Sequence, residues 1–116
     1  MKKKKLKRFS KKFKYEDLNL FRDKLLKWSN KFTHSSFLNS NNYSSNIKQY
    51  ECICAVELES EIPFTKNNST QKLDNYLKKV DDWVFGYLNY DLKNEIENLK
   101  SNNPDNFNLP NLYFFQ

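Results

Sequence analysis

The sequence predicts an α+β fold, in which two main helices sit among short strands that build a mixed, mainly antiparallel sheet. Two amphipathic helical stripes separated by apolar runs of strand length carry that expectation. A third observation singles out one position. Gly86 is the only glycine among 116 residues, where average usage of about 7% gives roughly eight. It lies in the aromatic run Trp83-Val-Phe-Gly-Tyr-Leu-Asn-Tyr90. A glycine inside a strand marks a bulge, a sharp bend or a close backbone approach.

The elements follow in order. Residues 9–14, Phe-Ser-Lys-Lys-Phe-Lys, predict a short first strand. Residues 17–32 predict a helix, because Leu18, Phe21, Leu25, Trp28 and Phe32 recur at spacings of 3 and 4 and read as a core-facing stripe. Asp17 is its expected N-cap. Residues 35–40 predict a short strand and residues 41–46 a polar loop. From Tyr50 to Leu58 the chain alternates, with Tyr50, Cys52, Cys54, Val56 and Leu58 on one face. Ile53 and Ala55 make the other face apolar too, so this strand is expected to be covered on both sides. Glu57, Glu59 and Glu61 are expected together on one face, as a solvated strand edge. A second helix is expected over 70–82, capped by Ser69 or Thr70, with Leu73, Tyr76, Leu77 and Val80 inward. The aromatic strand 83–90 follows. Next come a short helix over 91–99 with Leu92, Ile96 and Leu99 on one side, a turn at 102–106, and a strand in Leu112-Tyr-Phe-Phe115.

Composition narrows the function. One domain is expected: a basic arm over 1–14 and a body over 15–116. Asn and Lys supply 35 of the 116 residues; both have AT-rich codons, so much of this excess reflects codon drift. Residues 1–14 hold nine Lys or Arg and no acid, whereas residues 15–116 hold eleven basic and fourteen acidic residues. The body is therefore mildly acidic. The arm reads as a solvated basic end, and no basic stripe continues into the body, so nucleic acid is not the expected partner. The arm has no apolar segment of signal-peptide type, and no run reaches the roughly 18 apolar residues of a membrane span. The expected compartment is the cytoplasm, with no membrane partner. Cys52 and Cys54, two residues apart on a strand, are poorly placed for a disulfide and are expected to be structural. With His34 the only histidine, no metal site is expected. Nor does the chain carry a glycine-rich phosphate loop or a nucleophile–histidine pair.

Four pieces resemble, in order and spacing, the N-terminal region of the chorismate-utilising enzymes. They are Phe21-Arg-Asp-Lys-Leu-Leu-Lys-Trp28, Phe37-Leu-Asn-Ser40, Asp82-Trp-Val-Phe-Gly-Tyr-Leu-Asn-Tyr-Asp-Leu92 and Leu109-Pro-Asn-Leu-Tyr-Phe-Phe-Gln116. The family comprises component I of aminodeoxychorismate (para-aminobenzoate) synthase and of anthranilate synthase. The segment Gly86, Tyr87, Leu88, Asn89, Tyr90, Asp91, Leu92 is the most specific match and is expected to be a structural motif.

The resemblance covers residues 9–116, about the first quarter of a family member, and implies a partial chorismate-utilising-enzyme fold. It also implies a function: the N-terminal portion of an enzyme that aminates chorismate with ammonia from a glutamine amidotransferase. The family's catalytic residues and its Mg²⁺-binding glutamates lie in the C-terminal region, so no catalytic residue and no cofactor is assigned to this chain. The implied partners are the amidotransferase subunit or a separately encoded catalytic half. In relatives the Leu-x-Ser segment lines a tryptophan site, which makes Leu38, Asn39 and Ser40 the effector-binding candidates. Ser40 matches the family serine, while Asn39 replaces the glutamate of tryptophan-regulated members. A body cut off from the catalytic region is expected to expose Trp83, Phe85 and Phe114 and to be marginally stable.

Overall fold

The structure, a computed structural model, describes residues 7–116. It is α+β, with three helices and two small antiparallel sheets of two strands each. The chain divides into two compact units, one reaching to Glu57 and one from Leu58 to Gln116.

In the first unit a helix, α1 (Leu18–Ser29), precedes a hairpin of β1 (Ser35–Asn39) and β2 (Cys52–Val56). Asp17 caps α1 as its type predicts: its side chain accepts from the Leu20 backbone N at 2.9 Å. The strands pair antiparallel, with Phe37 opposite Cys54, and α1 packs on them. The expected stripe is not the packed face. Arg22, Leu25, Ser29 and Phe32 form the less exposed line, whereas Leu18 is 65% and Trp28 44% exposed. The packed line also has helical spacing but is turned by one residue from the apolar stripe at two of its four positions. The reason is size: Ser29, almost wholly buried, brings the helix close to the strands, and its hydroxyl is satisfied by the Leu26 carbonyl at 2.8 Å. Trp28 packs edge-on against Phe32 instead, with ring centroids 4.8 Å apart.

β2 is shorter than its alternation predicts, and its five residues are half-buried and none fully buried, where the sequence predicts cover on both sides. It stops at Glu57, which takes a left-handed backbone, φ 61°, and donates its N–H to the His34 carbonyl at 2.8 Å. The three glutamates therefore do not share one strand face. The expected strand at 9–14 does not form either; residues 7–14 have no regular structure.

In the second unit β3 (Phe85–Leu88) pairs antiparallel with β4 (Leu112–Phe115). Residues 59–62 lie along the other side of β4: the Ile62 N–H donates to the Phe114 carbonyl and the Gln116 N–H to the Ser60 carbonyl, both at 2.9 Å. Both sheets are purely antiparallel and separate, where the sequence predicts one mixed sheet. Among the described residues the buried apolar side chains are Ile62, Leu92, Leu112 and Phe115. Of the expected aromatic exposures, Trp83 is 58% exposed, while Phe85 and Phe114 are half-buried, Phe85 against Phe115.

The second helix, α2 (Ser69–Lys79), is capped differently from expectation. Its N-cap is Asn68, left-handed at φ 54° with no side-chain cap, so Ser69 is the first helical residue. Leu73, Tyr76 and Val80 are half-buried as expected, and Leu77 is exposed. The short α3 (Leu92–Ile96) buries only Leu92; Ile96 and Leu99 face solvent because the left-handed Asn98 ends the helix before a second turn can pack.

Gly86 is regular strand, with no positive φ. Its reason is the close approach. A Cβ there would collide with the Tyr113 carbonyl oxygen and lie 2.7 Å from the Phe114 Cα. Two predictions follow from these backbone constraints. Gly86→Ala should destabilise the chain by about 1–3 kcal/mol, the usual range for overpacking, read as a lower denaturation midpoint in urea. Glu57→Asn should raise stability by about 1 kcal/mol, since asparagine tolerates the left-handed region better; unchanged or lower stability would show that Glu57 is not strained.

Candidate functional site

The effector candidates lie where β1 runs into the 41–51 loop. Leu38, Asn39 and Ser40 border a cleft of about 350 Å³ together with Lys48, Tyr50 and Glu51. The local fold follows from asparagine and short side-chain bonds. Asn39 Oδ1 accepts the Asn41 N–H at 3.0 Å, and Asn41 and Asn42 are left-handed, at φ 51° and 60°. The Ser40 N–H donates to the Glu51 carbonyl at 2.9 Å, extending the β1–β2 ladder by one step.

Glu51 is the centre of charge. Its carboxylate accepts from Lys48 Nζ at 2.5 Å and from the Asn42 N–H at 2.9 Å, with Arg22 Nη1 at 3.8 Å. Hydrogen bonding from Lys48, then the Ser40 hydroxyl, then the Asn42 N–H, holds it down to about 2 against a small desolvation penalty. The Ser40 Oγ is buried and makes no hydrogen bond of full geometry, so its influence on Glu51 is one of proximity. The sequence reading identified Ser40 but missed Glu51, Lys48 and Arg22. The i,i+3 pair Lys48/Glu51 was a usable signal; Arg22, 29 positions from Glu51, was not.

The motif residues belong to the other unit. Tyr87 faces Tyr113 across the sheet with centroids 6.2 Å apart. Tyr90 is exposed beneath Lys93 Nζ, 5.1 Å from its ring centroid. Asp91 is the N-cap position of α3 without a side-chain cap bond. Gly86 has a packing reason; Tyr90 and Asp91 converge on no other motif side chain.

Beside them stands a polar clamp that sequence gave no sign of. Glu95 Oε1 accepts the Ser69 N–H at 2.5 Å, and its Oε2 accepts Asn111 Nδ2 at 3.0 Å. Glu95 thus supplies the cap that Asn68 does not, and ties α2 to the residue preceding β4. Desolvation raises its carboxyl, but hydrogen bonds from Ser69 and Asn111 and the charge of Lys72 outweigh that and leave it lowered. The clamp borders an open cleft of about 730 Å³ in which asparagine is the commonest lining residue. Nearby, Tyr113 is pushed up to about 12, by burial first and then by donating its hydroxyl to Glu61 at 2.5 Å.

Cys52 and Cys54 are both free and half-buried on β2. Burial pushes the Cys54 thiol up; the Ser29 hydroxyl opposes this and Cys52 adds to it. A raised thiol is a poor nucleophile. Among the described residues no group of three or more His, Cys, Asp or Glu could hold a metal ion, and no helix is long and apolar enough to cross a membrane. No protein-family model matches the chain, and neither a curated protein nor a solved structure does.

The Glu51 contacts set a pH dependence. A folded-state carboxyl near 2, against an ordinary 4.5, stabilises the loop above about pH 4.5 and loses that contribution as pH falls towards 2. The Asn42 amide resonance should titrate with a midpoint near 2, and Glu51→Gln should abolish the titration. A midpoint near 4.5 would show that the carboxylate is not held.

Proposed function

We propose that this chain is the N-terminal portion of a chorismate-aminating enzyme of the aminodeoxychorismate synthase component I type, and that it is non-catalytic by itself. The observation that carries the reading is Gly86. The motif Gly-Tyr-Leu-Asn-Tyr-Asp-Leu, which resembles the family's most closely, has its glycine where a Cβ would strike Tyr113 and Phe114, in the neighbouring motif-bearing segment. Two of the four resembling pieces are thus partners in one sheet, as pieces of one ancestral unit should be.

The chain's share of the reaction is structural. Leu18, Trp28, Trp83 and Leu88 are all exposed, which is surface suited to packing against further polypeptide. The partner is the catalytic half, which in this reading holds Mg²⁺ and chorismate; ammonia comes from the glutamine amidotransferase subunit. Leu38, Asn39 and Ser40 remain the effector-binding candidates at the cleft beside β1. Anthranilate synthase component I is the alternative within the same family.

Chorismate amination tests the reading. The chain alone, given chorismate, Mg²⁺ and ammonium, should form no product. Supplied with the polypeptide encoded next to it and the amidotransferase, it should co-purify with one of them and raise aminodeoxychorismate formation. Unrelated coding sequence beside its gene, together with no effect on amination, would overturn the reading.

A further inference from the structure

The cleft beside the Glu95 clamp has no part in the function proposed above. Its volume, about 730 Å³, lies within the range of small-molecule sites. Its chemistry departs from theirs, because such sites are mostly apolar and seven asparagines line this one. Two of the seven are spent on the fold: Asn94 Oδ1 accepts from Lys93 Nζ at 2.8 Å, and Asn111 Nδ2 donates to Glu95. The side-chain amides of Asn67, Asn68, Asn98, Asn103 and Asn106 make no hydrogen bond among the described residues. Phe107 borders the same cleft and is 84% exposed, so the fold makes little use of its apolar surface. The turn that presents the ring is nonetheless tied down. Asp105 Oδ1 accepts the N–H groups of Phe107 at 3.3 Å and Asn108 at 2.8 Å, and Lys66 Nζ donates to Asn108 Oδ1 at 2.5 Å.

We propose that this cleft binds a neutral oligosaccharide of gluco-configured pyranose units, with the Phe107 ring against a sugar face and the asparagine amides on its hydroxyls. Each sugar hydroxyl both donates and accepts. An asparagine amide offers two donors and an acceptor oxygen in one planar group, so it can satisfy neighbouring hydroxyls in both senses. A pyranose with equatorial hydroxyls turns its C–H bonds towards its two faces, and the negative face of an aromatic ring attracts them. Charge excludes the other small ligands. Asp91, Glu95 and Asp105 line the cleft against one base, Lys66, whose ammonium group is held by Asn108 and lies 3.8 Å from Asp105. A phosphorylated or carboxylated ligand would therefore meet net repulsion. A bare cation fares no better: both oxygens of Glu95 and one of Asp105 already accept N–H groups. Among the described residues no group of three or more His, Cys, Asp or Glu could hold a metal ion. The proposal rests on the cleft and not on the chorismate reading.

Titration of the full chain with cellotriose and with maltotriose, followed by NMR, tests it. At up to about 10 mM, enough to saturate a site of about 1 mM affinity, at least one of the two should move the side-chain amides of Asn67, Asn103 and Asn106 and the Phe107 ring along a single binding curve. Phe107→Ala should weaken that curve by about tenfold or more, as truncation of an aromatic anchor does, and Phe107→Trp should keep it. Phe107 lies outside both sheets, and an unmoved Gly86 amide resonance reports that the second unit is intact. Asn103→Ala with Asn106→Ala, both exposed, should weaken the curve as well. Sodium phosphate and calcium chloride at the same concentrations should leave these resonances in place. No response to either trisaccharide overturns the proposal. So does a response that survives Phe107→Ala undiminished, or one that phosphate or calcium reproduces.

Discussion

The close approach of Gly86 to Phe114 is the constraint around which the second unit is built. β4 is paired on both sides, by β3 and by residues 59–62, and supplies Leu112 and Phe115, two of the four buried apolar residues. β3 can lie in register on β4 only because position 86 has no Cβ. The other parts of the unit hang from that strand. Glu95 holds Asn111 just before it, and Gln116 just after it reaches Asp82 and Ser60. Leu112 and Phe115, three residues apart, lie on opposite faces of β4, so the strand is buried at one end on each face.

The first unit is held on different terms. Its only buried residue among those described is Ser29. The hairpin and α1 therefore rely on half-buried contacts and on the polar arrangement of Arg22, Asn42, Lys48 and Glu51. Ion pairs open to solvent contribute little each, so this unit gains more geometry than stability from them. That geometry is what shapes the cleft beside Leu38, Asn39 and Ser40.

The sequence made legible what depends on local chemistry. The existence and order of both main helices, the β2 alternation, the Asp17 cap and the meaning of Gly86 could all be read, because each follows from spacing or from one residue's own properties. The inward face of α1 could not. Hydrophobicity favours Leu18, Phe21 and Trp28, but closeness of approach favours Ser29, and only the partner surface decides between them. The strand expected at 9–14 does not form either, because a strand needs a partner edge that local sequence does not specify. At the candidate site Ser40 was legible as a motif match. Glu51 and Arg22 were not, since 29 residues separate two groups that the fold brings to 3.8 Å. The cap of α2 was misread because Glu95, 26 positions away, supplies it from another element.

The left-handed residues give the lone glycine a further meaning. Among the described residues, five of the six non-glycine residues at positive φ are asparagines: Asn41, Asn42, Asn68, Asn98 and Asn108. These are turn positions of the kind glycine usually fills. Glycine is required for two separable reasons, a backbone angle or a forbidden volume. Asparagine can satisfy the first, at small cost, because its short amide bonds back to the main chain. No other residue can satisfy the second. A chain drifting towards AT-rich codons can therefore surrender its angular glycines one turn at a time, and what it retains is the single place where the obstacle is matter rather than conformation.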